Sequence, residues 1–402
     1  MILTGATLHE RFQALDDFLV AHQALWRPRP FHHRQLPWEA DHPALAAWLR
    51  RRSLDDAEAA HNHPETLDAP APFPQLAARA LELGALDELP AQELPMPPAR
   101  FASDVPGRKW QQLEAFVQHL PFSGQPRHWL DWCAGKGHLG HLLAWQGGEA
   151  TCLEHDPALV ETGQQLSQRR HVPARHQLQD VLAADTAHRV EPHHTPVALH
   201  ACGDLHVRLL QLASTAGCPQ LAVAPCCYNR TTADHYQPLS TAAQISSLHL
   251  SRDDLGLPLS ETVTAGARVK RQRDTSMARR LAFDLLQRDL RGLDDYLPTP
   301  SLPSAWLHKD FRSYCHHLAA LKDLPPPGER DWSTLEAAGW QRLAAVRNLE
   351  LLRALFRRPL ELWLLLDRAL YLQERGYRVR LGSFCPSQLT PRNLLLLAER
   401  SA

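Results

Sequence analysis

The sequence predicts an α/β fold in which a mainly parallel sheet carries helices on both faces, and three observations support it. Short apolar runs alternate with longer helical patterns between residues 127 and 224. A glycine turn, Asp131-Trp132-Cys133-Ala134-Gly135-Lys136-Gly137, joins the first run to the first helix, and acidic side chains recur where the runs end. In sheets of this kind ligands bind outside the carboxyl ends of the strands, near the point where the strand order reverses.

Residues 1–100 contain helical patches at Leu8 to Leu25 and Ala44 to Leu54, broken by Pro28, Pro30, Pro37, Pro43, Pro64, Pro70, Pro72 and Pro74. They are expected to form a helical accessory region in which Trp26, Trp38 and Trp48 serve packing. After a boundary at Pro95 to Pro106, Trp110, Leu113, Val117 and Leu120 share one side of an amphipathic helix from Lys109 to Leu120. Lys109 stands near the start of that helix, within reach of a ligand at the glycine turn.

The core is expected over 101–235. Its strands are placed at Arg127 to Cys133, Ala150 to Glu154, Arg175 to Leu178, Pro196 to His200 and Gln220 to Ala224, with a proline-started helix from Pro157 to Arg170. Residues 236–358 read as a mostly helical insertion on the substrate side, interrupted by Pro298 to Pro303 and Pro325 to Pro327. Residues 359–402 return a buried helix, Pro359 to Glu374, and two last strands, Tyr377 to Phe384 and Asn393 to Ala398, which completes a seven-stranded sheet with an antiparallel edge.

Composition excludes several classes. The 402 residues are 44% apolar and 22% charged, ordinary for a soluble globular protein, and the formal charge of -1 argues against coating nucleic acid through overall charge. Eight cysteines include no C-x-x-C pair, so neither a disulfide framework nor a zinc ribbon is expected, no metal site is assigned, and reduced thiols in a cytoplasm are the reading. No run is long enough to span a membrane, and the start of the chain lacks a signal-peptide pattern. The 24 histidines are scattered, with adjacent pairs rather than i, i+4 ligand pairs. Oligomeric state is not legible.

The turn residues Ala134, Gly135 and Gly137 allow a ligand to approach the main chain, since glycine adopts backbone angles closed to other residues. A carboxylate, Asp131, opens the turn and Lys136 lies inside it, unlike a dinucleotide loop. This suits a nucleoside bearing a cationic amino acid. Asp131 is placed to orient the turn or that amino group, Glu154 to accept from both ribose hydroxyls, and Asp180 to accept from an adenine amine. Capping is the ordinary use of each carboxylate alone; three at successive strand ends behind a glycine turn favour S-adenosylmethionine.

This combination resembles the class I S-adenosylmethionine-dependent methyltransferases over residues 105–235, which implies a Rossmann-like methyltransferase sheet. Ala134-Gly135-Lys136-Gly137-His138-Leu139, His200-Ala201-Cys202-Gly203-Asp204-Leu205 and Cys226-Cys227-Tyr228 resemble a methyltransferase-like family with AGKGxL, HxCGDL and CC-Y segments. Thr390-Pro391-Arg392-Asn393 is similar to that family's SPRN segment. Distant similarity extends to the Trm13-type tRNA 2′-O-methyltransferases.

Methyl transfer from a sulfonium is an in-line displacement, so the protein has to position the nucleophile and relieve it of a proton. His200 is the candidate base, near the cofactor, with Cys202, Asp204, Cys226, Cys227, Tyr228 and Asn229 beside it. Asp204 orients that base or caps the following helix. The Cys226-Cys227 pair admits three readings: small walls of an acceptor pocket, which is favoured; a thiolate nucleophile; or metal binding with His200 and Cys202. Arg268, Lys270, Arg271 and Arg273, with Arg279 and Arg280, form a basic run against the single acid Asp274, and with Arg392 they are the candidate phosphate contacts. An RNA methyltransferase acting on rRNA or tRNA is therefore the first reading. A methyltransferase for protein or a small molecule and a non-catalytic S-adenosylmethionine-binding scaffold are the alternatives.

Overall fold

A computed structural model describes residues 1–95, 97–103, 105–260 and 267–400. It divides the chain into two compact units. The first comprises Met1–Ala21, Leu83–Ser260 and Arg358–Ala402, and the second His22–Glu82 and Glu261–Arg357.

The first unit is built on one sheet. Its strands are β1 (Leu3–Thr4), β2 (His128–Trp132), β3 (Glu149–Glu154), β4 (Ala174–Leu178), β5 (His194–Leu199), β6 (Gln220–Ala224), β7 (Tyr377–Ser383) and β8 (Leu394–Arg400), in the spatial order β1-β7-β8-β6-β5-β2-β3-β4. β2 to β6 run parallel, whereas β8 pairs antiparallel with both β6 and β7. The strand order reverses at β2, between β3 and β5, so the turn that follows β2 opens on a crevice.

The expected count of seven strands is corrected to eight. Leu3 pairs with Leu381 and Thr4 with Arg380, which places a two-residue strand on the outer edge of β7 and buries Leu3 completely. Two residues carry too little periodicity to be recognised, and the partner is more than 370 positions away.

The burial pattern explains the strand compositions. β6 is buried at every position and β8 at every position but Arg400, as befits strands covered on both faces. The helix Arg357–Gln373 buries Leu360, Leu362, Trp363, Leu364, Leu365 and Leu366 with nearly no exposure. On the other elements Phe116 meets Phe384 edge-on, and the helix Gly107–Gln118 contributes Leu113 and Val117 to the same core as Leu139, Leu142 and Leu143. The helix Pro157–Arg170 starts on Asp156, whose carboxylate accepts from the Ala158 and Leu159 amides, and it ends at His171 in the left-handed conformation.

The second unit is helical. Ala282, Phe283 and Leu286 of Ala267–Arg291 pack on Phe311, Tyr314 and Leu318, while Ala278 and Leu281 pack on Leu343 and Val346 of Trp332–Ala354. Gly339 lets these long helices approach, because a Cβ there would stand 2.5 Å from the Ala278 carbonyl. Buried Asp284 is neutralised by Arg288 at 3.0 Å and by Arg342. Trp26 and Trp38 are buried in this unit and Trp48 lies under the Arg52 guanidinium, consistent with packing.

The units cut the chain differently from the expected segments. Residues 1–21 and 83–100 go with the sheet rather than with a separate accessory region, because β1 and the bridge from Glu88 to Ser383 tie them to β7. The expected 236–358 segment also divides, with 236–260 on the sheet unit and its remainder joined to 22–82; residues 261–266 lie outside those described. Among the described residues no helix is long and apolar enough to cross a membrane.

Candidate active site

The glycine turn is held from three sides. The Ala134 amide donates to the Leu153 carbonyl (2.9 Å), the Gly135 amide to Glu154 Oε2 (2.9 Å), and the Gly140 amide to Asp131 Oδ2 (2.9 Å). Gly137 starts the helix His138–Gln146 at φ 72°, and a Cβ on it would stand 2.2 Å from His176. Glycine is therefore required there for close packing. Gly135, at φ 59°, has nothing within 4 Å of where a Cβ would stand. The turn thus leaves open room over its backbone at one glycine and is wedged from below at the other, which fits a cofactor laid along Gly135. Lys136 is exposed.

Asp131 is 2% exposed and its carboxyl serves the Gly140 amide, so of its two expected uses the structure shows the turn-orienting one. Burial pushes that carboxyl up to about 7, against the pull of the Gly140 N–H and of Lys109. Glu154 accepts from the Gly135, His155 and Asp156 amides, and His155 Nδ1 stands 2.8 Å away. A ribose hydroxyl reaching this carboxylate has to share oxygens that already organise the turn. Asp180 is exposed, and its Oδ1 accepts the Leu182 amide at 3.0 Å.

Cys133 follows β2 directly, inside the turn. It adopts φ 58°, a left-handed conformation, and burial pushes its thiol up to about 12, with further contributions from Glu154, Asp131, Cys202 and Asp180. All three acids therefore stand near enough for their charges to be felt at the turn. Cys133 was not singled out from the sequence, since nothing in its spacing marks it.

Two segments clamp each other on the other side of the crevice. A Cβ on Gly203 (φ 54°) would stand 1.7 Å from the Arg230 carbonyl oxygen. The Asp204 amide donates to that same carbonyl (3.0 Å), and Asp204 Oδ2 accepts from the Thr232 amide (2.9 Å) and hydroxyl (3.2 Å). Asp204 thus ties the 230–232 backbone to the start of the helix Asp204–Ala216; neither expected use, orienting His200 or capping its own helix, is seen in its side-chain bonds.

The clamp brings Cys202 Sγ within 3.1 Å of Cys226 Sγ, and the sulfurs of Cys202, Cys226 and Cys227 all lie within 4.8 Å of one another. Hydrogen bonds from Cys226 and then Cys227 hold the Cys202 thiol down, to about 6, while the bond to Cys202 raises Cys226 and burial raises Cys227. The most acidic sulfur is accordingly Cys202 rather than either member of the adjacent pair. Tyr228 is 2% exposed under the Arg368 guanidinium, with its hydroxyl among the buried atoms lacking a hydrogen-bond partner, as is Asn229 Oδ1. Tyr228 is thereby a wall residue.

His200 also takes a left-handed backbone, φ 66°. Its Nε2 is 2.9 Å from Gln112 Oε1, while Gln112 Nε2 donates to the Leu389 carbonyl at 3.2 Å. The glutamine amide is oriented by that carbonyl, so its oxygen accepts and His200 carries its proton on Nε2. Nδ1 is left as the acceptor nitrogen. Burial, and then Lys109 and Arg392, hold His200 below the usual histidine range. Gln112 has no motif around it and was not legible; it is found only through its two partners.

The basic run behaves differently from its expectation. Lys270 and Arg273 pair with Glu58, Arg273 also with Asp274, Arg279 with Glu336 and the Leu307 and Lys309 carbonyls, and Arg280 with Thr299 and the Pro300 carbonyl. Arg268 and Arg271 remain exposed. Lys270 and Arg273 are thus spent on neutralising Glu58, whose position in the chain gives no hint of the pairing. In the first unit, by contrast, Lys109 acts on Asp131 and His200, Arg392 on His200 and Cys227, and Arg230 on Cys202.

Comparison with known proteins places a domain here. Residues 108–234 match the family model described as a methyltransferase domain. Among solved structures the chain is similar to magnesium protoporphyrin IX methyltransferase from Synechocystis with bound S-adenosylhomocysteine, at 16% identity over 31% of this chain and 63% of that one, TM-score 0.26. It is similar to the Pyrococcus abyssi tRNA (uracil-54, C5)-methyltransferase at 18% identity over 29% and 28%, TM-score 0.24. A geranyl diphosphate methyltransferase is similar at 14% identity over 42% and 64%, TM-score 0.26. The chain spans less than two thirds of each of these, and likeness at this level identifies no substrate. The matched segment is a methyltransferase domain, with S-adenosylmethionine as its cofactor.

Proposed function

We propose that the chain is an S-adenosylmethionine-dependent methyltransferase whose acceptor is RNA. The observation that carries the first half is the glycine turn after β2, open above Gly135 and held by Glu154 and Asp131, within the matched domain. Bound there, the cofactor supplies an electrophilic methyl group. Glu154 and Asp131 fix the turn on which it lies, and Asp180 offers a free edge of carboxylate at the end of β4. His200 presents Nδ1 to the incoming nucleophile from a ring locked by Gln112.

Support for an RNA acceptor comes from Lys109, Arg230 and Arg392, whose charges are felt at His200, Cys202 and Cys227 from three separate segments. Three cations around one cleft suit a phosphate-bearing acceptor. Arg268 and Arg271 are further candidate contacts, whereas Lys270 and Arg273 already serve Glu58. The test is tritiated methyl transfer to fractionated cell extract, digested separately with nuclease and protease. RNA requires that label be lost to nuclease. Label lost to protease alone, or found in neither polymer, refutes RNA in favour of a protein or a small molecule; no transfer at all, with the cofactor still bound, identifies a scaffold.

A further inference from the structure

We infer that Cys202, Cys226 and Cys227 form a three-thiolate site for a single zinc ion, with the fourth coordination position open to a non-cysteine donor. The inference does not rest on the RNA reading, and no spacing rule announces it, because the first sulfur lies 24 residues from the second.

The geometry is assembled by backbone rather than by chance contact of surface thiols. Cys202 follows a left-handed His200 at the end of β5, and the Cys226-Cys227 pair follows β6 after Pro225. Neighbouring strands β5 and β6, paired through Leu199 and Ala224, therefore bring the three residues to one strand end. The Gly203–Arg230 contact and the Asp204–Thr232 bonds then fix the two segments on each other. All three sulfurs lie within 4.8 Å of one another, as donors around one tetrahedral ion must. Cys226 is buried and the other two are half-buried, leaving the cluster reachable from one side.

Among the described residues this is the one group of three or more histidine, cysteine or acidic side chains close enough to hold an ion. Soft thiolate donors select zinc or copper(I) over magnesium or calcium. A disulfide between Cys202 and Cys226 would use two of the sulfurs and leave the third unexplained. An ion uses all three, displacing their remaining protons. A set of three protein ligands leaves a coordination position vacant, the arrangement of zinc sites that take an exchangeable donor.

The experiment uses the full chain, purified under reducing conditions. Metal content is read by plasma mass spectrometry, and cobalt is added to chelator-treated protein to look for the near-ultraviolet thiolate-to-cobalt band. The expected result is one zinc per chain, a cobalt band, and zinc affinity weakened at least about tenfold in Cys202→Ser and Cys227→Ser but not in Cys218→Ser. Should those variants fail to fold, alkylation of the wild-type protein decides: zinc protects Cys202, Cys226 and Cys227 together, and chelator exposes them together. Absence of bound zinc and of the cobalt band overturns the proposal. So does zinc held by Cys202→Ser as tightly as by the wild type, or protection that maps to other cysteines.

Discussion

Gly203→Ala isolates the clamp between the two segments that build the acceptor side. The added Cβ would stand 1.7 Å from the Arg230 oxygen, 2.3 Å from its carbonyl carbon and 2.9 Å from its Cα, all backbone atoms that cannot rotate away. Either the Cys227–Arg230 turn moves or the helix Asp204–Ala216 does, and the new side chain must in addition adopt φ 54°, ψ -122°, a combination that glycine takes readily and other residues do not. Backbone strain of that kind costs about 1–3 kcal/mol and forced overpacking about 1–3 kcal/mol, so the substitution is expected to destabilise by about 2–6 kcal/mol. For a unit of this size that lowers the melting midpoint by roughly 5–15 °C. Gly135→Ala is the matched control. It too has a positive φ, 59°, but meets nothing within 4 Å, so its cost is backbone strain alone, about 1–2 kcal/mol. Calorimetry of the wild type and both variants separates the two. Equal midpoints for the variants, or a Gly203→Ala midpoint within about 2 °C of the wild type, would refute the clamp.

Glu154→Ala removes a buried carboxylate that fixes the turn and is expected to weaken S-adenosylmethionine binding roughly 10- to 100-fold by titration calorimetry; unchanged affinity places the cofactor elsewhere. Behind the turn, burial holds His141 near 3 and His176 near 4, below the ordinary 6.5. Their neutral forms are favoured in the folded protein, so their stability contribution is full above pH 6.5 and is lost as pH falls toward 4, at no more than about 1.4 kcal/mol per pH unit for each ring. Denaturant unfolding at stepped pH should show this limb, and His176→Gln should flatten it in part; a variant as acid-sensitive as the wild type excludes His176 as a source. Charge reversal at Lys109 and Arg230 should weaken RNA binding and reduce its dependence on salt, whereas the same change at Arg271 alone should do less. An equal or larger effect at Arg271 moves the main phosphate contacts to the helical unit.

What was legible in the sequence follows the strength of local pattern. β6 runs over Gln220–Ala224 as expected from a continuous apolar run, and the helix Pro157–Arg170 matches because Asp156 and Pro157 mark its start. The strand before it begins at Glu149 instead of Ala150, and β2 stops at Trp132 because Cys133 turns left-handed. The glycine turn and the acids at the ends of β2, β3 and just past β4 were legible because strand ends are where apolar runs stop. β1 was not, being two residues long, and neither was the split of the helical segments into one unit, since residues 22–82 and 267–357 meet only through long-range packing such as Leu54 on Leu343 and Val346. The neutralisation of Lys270 and Arg273 escaped for the same reason: Glu58 is more than 200 positions away.

The bridge from Leu389 through Gln112 to His200 ends on a main-chain oxygen. Every amino acid supplies that oxygen, so the bond to Gln112 does not read the side chain at 389, which packs on the core and helps the loop keep its path. Arg108, which also donates to the Leu389 carbonyl and to that of Gln388, holds the path without reading identity either. Anyone exchanging this loop to alter acceptor choice should preserve its backbone course first and its residues second.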